Sequence, residues 1–350
     1  MNASENTPLF SKKGSWRFAE GAETLFPEKD PMAAFVSPVP VKRSAVREVW
    51  KTDGYFFKFD RRSRHDFDKE FRRGCALAAC GVPVVRHIAC GKTGQGVCLV
   101  TAALPGSVTV EESIRGRVPD GKFLSAVVDF LGLLERRRVV HRDLHPGNVL
   151  YVERSNSFFL VDVRDAFPAP RFCGFLFSRL PLLRFLCDLS ENLSDACVCE
   201  LLRRMCVSDP QAFFLAEIRR KAAFLRREWP RRREQIFSGY PKFTRREGDA
   251  LFVRDSGAAE LENAETLPAS DDVFAMSFFL DLLRIPHRRV FRYDVKKKTM
   301  EIERAGESLP DRDRVDELVR RARCAGVLTE PGDWCTDRGG LVKLFVWKGK

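Results

Sequence analysis

The sequence predicts an α+β fold in which a small antiparallel sheet precedes a mainly helical region, with a further α+β segment after it. Three observations support this class. Short strand-like segments flank Asp53-Gly54, a strong two-residue hairpin signal. Apolar residues from Leu124 to Leu134 recur at helical spacing after Asp120, which occupies an N-cap position. From about residue 243 onward, strand and helix patterns alternate again.

The composition is that of a globular protein with a basic surface. Of the 350 residues 44% are hydrophobic, and the formal net charge is +12. Such a charge favours an acidic partner, which could be a phosphorylated glycolipid, an anionic membrane, a nucleotide or a nucleic acid. The 11 cysteines include no C-x-x-C pair, so reduced thiols in the cytosol are the simpler interpretation.

The first residues give no targeting signal. The polar start of the chain lacks a signal-peptide apolar core, and we expect residues 1–32 to be a loosely ordered leader. The longest uncharged run, residues 93–110, contains glycines and a proline and is typical of a strand and a turn, not of a membrane span.

The small sheet is predicted from residues 33 to 60. Strand patterns cover residues 33–37, 46–51 and 55–60. The connection at residues 38–44 has no glycine with which a backbone could wrap phosphates. Lys42 and Arg43 leave two interpretations open, a cover for a triphosphate or a solvated basic turn.

Lys58 is the first candidate functional residue, because it lies within a run of aromatic residues where an unpaired ammonium would be costly. Phosphate oxygens or a glutamate on the following helix, predicted for residues 64–80, would satisfy it. Glu70 on that helix is the expected partner. The alternative is a strand lysine that faces solvent.

The strongest motif is the loop at residues 141–150, which reads His-Arg-Asp-Leu-His-Pro-Gly-Asn-Val-Leu. A short apolar strand that ends at Asp162 follows it. Asp143 and Asn148 have the H-R-D-x-x-x-x-N spacing of phosphoryl-transfer enzymes, and Asp162 takes the place of the D-F-G aspartate. The alternative is a polar loop whose Asp and Asn only cap turns.

These residues together resemble the bacterial lipopolysaccharide core kinases, which phosphorylate heptose or Kdo sugars. The likeness covers about residues 33–235, and aminoglycoside and choline kinases share the style of the loop. It implies a two-lobed protein-kinase-like fold, ATP, Mg²⁺ and a sugar hydroxyl as acceptor. It implies catalysis by Asp143, metal binding by Asn148 and Asp162, phosphate positioning by Lys58 with Glu70, and adenine contacts at Ala102 and Leu104. His145 would contact the γ-phosphate or hold the loop by hydrogen bonding.

Two departures from conventional protein kinases are visible. No A-P-E follows Asp162, and Arg164 stands where D-F-G has its glycine. Residues 171–186 mix large apolar groups with arginines and could rest on a membrane or pack on the helical core. The helix that starts at Asp209-Pro210 carries many arginines, which could grip anionic glycolipid phosphates or form a solvated face.

The C-terminal third predicts strands at residues 250–254, 289–293, 299–303 and 341–347, and helices at 271–283 and 311–323. The hairpin, helix and following Cys324 to Val327 faintly echo residues 48–82, with Glu301 near the place of Lys58. Chance similarity is the simpler interpretation of that echo.

The sequence therefore predicts a sheet lobe at residues 33–106, a helical lobe at 107–240 and an extension at 241–350. The expected function is ATP-dependent phosphorylation of a lipopolysaccharide core sugar. The alternatives are a small-molecule kinase of the aminoglycoside or choline type and a non-catalytic nucleotide-binding regulator. We expect a cytoplasmic protein, peripheral on the inner face of the membrane, with a glycolipid or sugar substrate and no nucleic acid partner.

Overall fold

The computed structural model describes residues 10–13, 16–43, 47–60, 67–94, 96–115, 117–169, 175–190, 193–240, 243–253, 261, 264–305, 310–327, 329, 334–336 and 342–344. The chain forms two compact units. Unit 1 comprises Met1–Ser113 and Asp120–Phe185, and unit 2 comprises Ile114–Pro119 and Leu186–Lys350. The domain boundaries that the sequence predicts, after residues 32, 106 and 240, stay a prediction.

Unit 1 begins with a seven-stranded antiparallel sheet. Its strands are β1 (Phe10–Lys13), β2 (Trp16–Ala19), β3 (Val39–Arg43), β4 (Arg47–Lys51), β5 (Tyr55–Asp60), β6 (His87–Thr93) and β7 (Gly96–Ala102). The strand order is β1-β2-β6-β7-β5-β4-β3. This sheet and the helices that follow confirm the predicted α+β class.

The expected loose leader is wrong for residues 16–32. Strand β2 pairs with β6, and Trp16, Phe18, Ala22 and Phe26 are buried in the same core as the central strands. No local sequence pattern marks this pairing, because the strand is short and its partner lies about seventy residues away.

The first predicted strand and loop are also corrected. Residues 33–37 form no strand, since Pro31–Ala34 is a turn of 3-10 helix capped by Asp30. The glycine-free connection is instead strand β3, which pairs with β4. Residues 44–46, between these two strands, lie outside the described residues.

The hairpin at Asp53-Gly54 is confirmed. Gly54 has φ 82°, a conformation that glycine adopts without strain, and the Thr52 N–H donates to the Tyr55 carbonyl at 2.9 Å. Strand β5 covers the predicted residues 55–60. Helix α1 (Phe67–Ala79) follows within the predicted range, and its first predicted residues lie outside the described part. The strand expected to begin at residue 81 starts only at His87.

The second half of unit 1 carries the loop motif. Its elements are β8 (Ser107–Thr109), α2 (Val110–Ile114), α3 (Gly121–Arg136), β9 (Val139–His141), β10 (Val149–Val152), β11 (Ser157–Leu160), β12 (Ala166–Pro168) and α4 (Phe175–Asp188), the last ending in unit 2. Asp120 accepts from the Phe123 N–H at 2.7 Å, as predicted for the cap of α3. The fully buried Val127, Leu131 and Leu134 anchor the helix that leads to the loop.

Unit 2 contains helices and a five-stranded antiparallel sheet of order β13-β14-β16-β17-β15. Its elements are α5 (Asp195–Arg204), α6 (Pro210–Phe237), β13 (Thr244–Glu247), β14 (Ala250–Val253), β15 (Ala264–Pro268), α7 (Asp271–Leu283), β16 (Val290–Asp294), β17 (Thr299–Glu303), α8 (Arg312–Cys324), β18 (Trp334–Thr336) and β19 (Val342–Leu344). The observed bounds of α7 are those predicted from the sequence. Strands β13, β15 and β18 are not among the predicted strands.

Membrane or lipid contact is one interpretation of two segments, residues 171–186 and helix α6, and the structure describes part of both. In α4, Leu182, Phe185 and Leu186 are buried, which favours packing of that part of the stretch on protein. Along α6, Phe214 and Leu225 are buried, while most of the arginines are exposed. Among the described residues, none of the helices has the length and apolar character that a membrane span requires.

Candidate active site

Lys58 is the central cation of the site. Its neighbours on β5, Phe57 and Phe59, are fully buried on the opposite face, so alternation along the strand turns Lys58 toward α1. Its amine donates to Glu70 Oε1 at 2.9 Å and also to Asp162. Burial alone would lower the pKa of Lys58, but the charges of the two carboxylates outweigh burial and raise it. The amine is therefore permanently charged at neutral pH.

Glu70 is held beneath this amine by the packing of α1. Its side chain is 1% exposed, and Phe67, Phe71 and Leu77 bury the same helix against the sheet. A buried carboxylate needs a charged or hydrogen-bonding partner, and Lys58 supplies one. The sequence thus predicted a contact that the structure contains.

Asp162 completes the ion triad. It follows β11 in the left-handed region, with φ 51° and ψ 45°, which turns its carboxylate out of the strand direction. Its side chain is 56% exposed, so it can contact a ligand as well as Lys58. The Lys58 charge is the main cause that holds the pKa of Asp162 below its usual value, and Arg47 acts in the same direction.

Asp143 and Asn148 form the second part of the site. Asp143 is exposed, whereas Asn148 is buried at the end of a 3-10 turn. The Asn148 amide donates to the Asp143 carbonyl at 2.9 Å and to its Oδ2 at 3.4 Å. The Val161 N–H donates to the Asn148 carbonyl at 3.0 Å, so the loop is tied to the residue before Asp162. Because Asn148 uses its amide N–H groups here, its Oδ1 is the atom suited to a cation.

His141 is a positioning residue that the sequence reasoning did not single out. It is buried, and its Nδ1 accepts from the Asp143 N–H at 3.3 Å. Burial is the main cause that lowers the pKa of His141, which favours the neutral ring with its proton on Nε2. The motif itself contains the signal, since this histidine stands two residues before the predicted base.

His145 adopts the second of its two predicted roles. Its Nδ1 accepts from the Gly147 N–H at 3.1 Å and so caps the 3-10 turn Pro146–Asn148. The ring is half-buried. A contact between its Nε2 and a γ-phosphate stays a prediction.

The expected adenine-binding segment is at the end of β7. The Ala102 N–H donates to the Arg86 carbonyl at 2.8 Å. The backbone group of Ala102 suited to accept a hydrogen bond from an adenine amine is therefore its carbonyl. The Leu104 carbonyl accepts from the Ser107 N–H at 3.2 Å and from its hydroxyl at 2.8 Å. The N–H of Leu104 is therefore the group of that residue to test.

Several contacts missed at the sequence level fix α1 to the turn after Asp162. Arg73 donates to the Arg164 carbonyl at 2.5 Å, and Lys69 pairs with Asp165 at 3.2 Å. On the other side of the helix, a Cβ on Gly74 would lie 2.2 Å from the Nδ1 of buried His87. No sequence pattern marks these pairs, because their members are far apart along the chain.

The oxygen ligands fit magnesium bound together with a nucleotide. Among the described residues, no group of three or more His, Cys, Asp or Glu side chains is placed to hold a metal. Asn148 and Asp162 would supply one amide and one carboxylate oxygen, and Mg²⁺ commonly takes its remaining ligands from phosphates and water. The site is thus suited to a metal that arrives with its phosphate ligands.

Comparison with known proteins finds only distant structural likeness. No protein-family model and no curated protein matches the chain. Among solved structures, the bifunctional kinase-methyltransferase WbdD is similar at 20% identity and a TM-score of 0.32, over 41% of this chain and 34% of that one. A second structure of WbdD has 18% identity and a TM-score of 0.36, covering 50% of this chain and 44% of that one.

An aminoglycoside-3'-phosphotransferase of type VIII is similar at 18% identity and a TM-score of 0.39, over 51% of this chain and 90% of that one. The matched region spans less than half of the WbdD chains.

Proposed function

We propose that this chain is an ATP-dependent kinase that transfers the γ-phosphate to a sugar hydroxyl of the lipopolysaccharide core, on heptose or Kdo. The observation that supports phosphotransfer is the Lys58 amine between Glu70 and Asp162, in the unit where Asn148 holds Asp143. Phosphoryl transfer needs this set: a cation for phosphates, oxygen ligands for magnesium and a carboxylate for the acceptor hydroxyl.

Each residue then has a defined task. Lys58, oriented by Glu70, binds the nucleotide phosphates. Asn148 Oδ1 and the Asp162 carboxylate would hold Mg²⁺, which when bound would supply positive charge against the phosphate oxygens. Asp143 would orient the acceptor hydroxyl and accept its proton as the oxygen attacks the γ-phosphorus, while the bond between that phosphorus and the β,γ-bridging oxygen breaks and ADP leaves. The backbone N–H of Asp143, held by His141, keeps this carboxylate in place.

The glycolipid acceptor is proposed from charge. The net charge of +12 favours an anionic partner, and helix α6 exposes Arg219, Arg227 and Arg231 among others. Guanidinium groups bind phosphates through two parallel hydrogen bonds, which suits a phosphorylated glycolipid. We further propose a peripheral location at the inner face of the membrane, where such a substrate would be met.

A transfer assay with γ-labelled ATP and Mg²⁺ tests this proposal. Dephosphorylated core glycolipid, soluble aminoglycosides and choline are offered in parallel, with Asp143→Asn as the inactive variant. Asp129→Asn is the matched control, because Asp129 is an exposed carboxylate on α3 of the same unit.

We expect label on the glycolipid with the native chain and Asp129→Asn, and none with Asp143→Asn. Label on an aminoglycoside or choline alone would support the small-molecule alternative instead. Nucleotide binding without transfer to any acceptor would support the non-catalytic regulator.

A further inference from the structure

Unit 2 contains a hairpin with the same pairing as the first hairpin of unit 1. Strands β1 and β2 pair from Phe10 with Ala19 to Lys13 with Trp16, and β13 and β14 pair from Thr244 with Val253 to Glu247 with Ala250. Both pairs have four residues in each strand, and in both the second strand begins three residues after the first one ends. Each hairpin then adds its second strand antiparallel to the strand that follows the next long helix, β6 in unit 1 and β16 in unit 2.

The helices before these strands also end alike. Helices α1 and α7 both have 13 residues. The Val82 N–H donates to the Leu77 carbonyl at 3.0 Å, and the Ile285 N–H donates to the Leu280 carbonyl at 3.1 Å. The residue before each donor has positive φ, and a proline follows each donor.

A parallel bridge follows the proline in both units. Val84 bridges to Leu160 of β11, and His287 bridges to Leu344 of β19. Each bridge has the same two hydrogen bonds: the leucine N–H donates to the proline carbonyl, and the N–H of the second residue after the proline donates to the leucine carbonyl. An isolated parallel bridge between distant segments is not an ordinary hairpin contact. Because the bridge occurs in both units, β19 is the counterpart of β11.

The strand pairs that follow, β6–β7 and β16–β17, share an irregularity of register. The β6–β7 and β16–β17 pairs each contain a register shift at their first residues, at His87 and at Val290. At the end, the Ala102 N–H donates to the Arg86 carbonyl at 2.8 Å, and the Glu303 N–H donates to the Arg289 carbonyl at 2.8 Å. These bonds make Glu303 the counterpart of Ala102.

The sheet order confirms the correspondence. Unit 2 has the order β13-β14-β16-β17-β15, and unit 1 has β1-β2-β6-β7-β5 followed by β4 and β3. The two orders are the same except that unit 2 lacks counterparts of β3 and β4 among its described strands. The sequence echo noted above had the wrong register, because it matched the β16–β17 hairpin to β4 and β5.

The register shows what stands in the place of the ion pair. Lys58 pairs with Leu99, three residues before Ala102, and Leu267 pairs with Met300, three residues before Glu303. Leu267, not Glu301, is therefore the counterpart of Lys58.

The partner on the helix is found in the same way. Glu70 lies seven residues before Leu77, and Val273 lies seven before Leu280. Leu267 and Val273 both pack against the core cluster that includes Phe274 and Tyr293. Apolar side chains therefore stand at both positions of the ion pair.

The loop after the following helix is also shorter. In unit 1, Arg138 follows α3 and has φ 54°. Val149, which pairs with Leu160, comes eleven residues after it. In unit 2, Gly326 has φ 72°, and Trp334, which pairs with Leu344, comes only eight residues after it. Three residues are missing where unit 1 carries Asp143 and Asn148, and the counterpart segment lies mainly outside the described residues.

We propose that residues 244–344 are a second copy of the unit 1 sheet, helix and strand framework, one that has kept the fold and lost the nucleotide site. Leu267 and Val273 place apolar side chains at the ion-pair position, and the described strands of unit 2 include no counterpart of β3 and β4. Among the described residues only unit 1 then has the phosphate-binding lysine, and the second copy, given the proposed function, is a non-catalytic kinase-like repeat.

A double-mutant cycle tests the register. The variants are Leu267→Lys, Val273→Glu and both together in the full chain, with denaturant midpoints measured for each. Both positions are half-buried, so a charge can be accommodated there. We expect each single change to lower the midpoint and the double variant to regain at least half of the larger loss, because the new side chains meet as Lys58 and Glu70 do.

The matched control combines Thr266→Lys with Val273→Glu, since Thr266 is exposed on the other face of the same strand. This pair should show additive losses. Additive losses for Leu267→Lys with Val273→Glu as well would overturn the correspondence.

Nucleotide binding by the full chain gives a second measurement that does not depend on the stability of these variants. Equilibrium dialysis of the native chain against saturating labelled ATP and Mg²⁺ should find one equivalent of bound nucleotide. Two equivalents would show that the repeat has kept a site and would overturn this proposal, whereas no bound nucleotide would contradict the proposed function instead.

Discussion

Glu70 on α1 accepts a hydrogen bond at 2.9 Å from the Lys58 amine on β5, and the same amine contacts Asp162. One cation thus joins a helix, a central strand and the turn after β11. Removing it should alter both nucleotide binding and the packing of α1, which makes this contact the first to test.

Lys58→Met removes the phosphate-binding charge. We expect kcat/KM to fall by more than about tenfold, equivalent to about 1.4 kcal/mol or more of transition-state stabilisation. Steady-state kinetics with varied ATP measure the effect. Lys122→Met, an exposed lysine of α3, is the control and should keep the native rate. An unchanged rate for Lys58→Met would remove this lysine from the site.

Asp143→Asn tests the proposed base. The amide cannot accept the hydroxyl proton, so we expect kcat to fall by roughly 10² to 10⁴ while the dissociation constant of ATP changes little. Rapid-quench kinetics and equilibrium nucleotide binding separate the two quantities. Full transfer activity in this variant would show that Asp143 does not act as the base.

Gly74→Ala tests the packing behind Glu70. The added Cβ would lie 2.2 Å from His87 Nδ1, and this ring is buried and donates to the Val85 carbonyl at 3.0 Å. We expect α1 to shift and the free energy of unfolding to fall by about 1 to 3 kcal/mol.

Chemical denaturation measures this loss. Gly132→Ala on α3 is the control, because its Cβ would meet only the flexible end of Arg136, at 3.2 Å. Helix propensity should then leave this control neutral or more stable, by up to about 1 kcal/mol. Equal effects of the two substitutions would contradict the role given to His87.

His87 should make the native chain sensitive to mild acid. Burial is the main cause that lowers the pKa of His87 from 6.5 to about 4, with Lys58 adding to it and Glu70 and Asp162 opposing it. A lowered histidine pKa means that the unfolded chain takes up a proton before the folded chain does. Stability is therefore lost as pH falls from about 6.5 toward 4.

Between pH 7 and pH 5, protonation linked to His87 should lower the free energy of unfolding by about 2 kcal/mol. Urea denaturation at both pH values measures the loss in the native chain and in His87→Gln, whose side chain does not titrate. We expect a smaller pH dependence in the variant, with the remainder attributed in part to His141, whose pKa burial also lowers. Identical pH dependence in both chains would exclude His87 as the source.

Asp162 and Lys58 affect the stability of the protein at the extremes of pH. The pKa of Asp162 is lowered, so its contribution is present at neutral pH and is lost as pH falls below its usual range near 3.8. The pKa of Lys58 is raised, so its contribution is lost only as pH rises beyond 10.5. Neither group accounts for a change in stability between pH 5 and pH 7.

The sequence by itself determined the features that depend on neighbouring residues. The Gly54 turn, the Asp120 cap and the bounds of α7 follow from backbone conformation, capping and periodicity, which act within a few residues. The spacing of Asp143 and Asn148 belongs to the same class, because one loop holds both.

Only the tertiary structure decided the pairing of distant segments. The place of β2 in the sheet, the contact of Gly74 with His87 and the equivalence of Leu267 with Lys58 depend on hydrogen-bond register and close packing between remote parts of the chain. Register is set by which faces are buried together, and a shift of one residue exchanges the buried and exposed faces. A local pattern does not contain that information, because many distant partners would bury the same apolar side chains equally well.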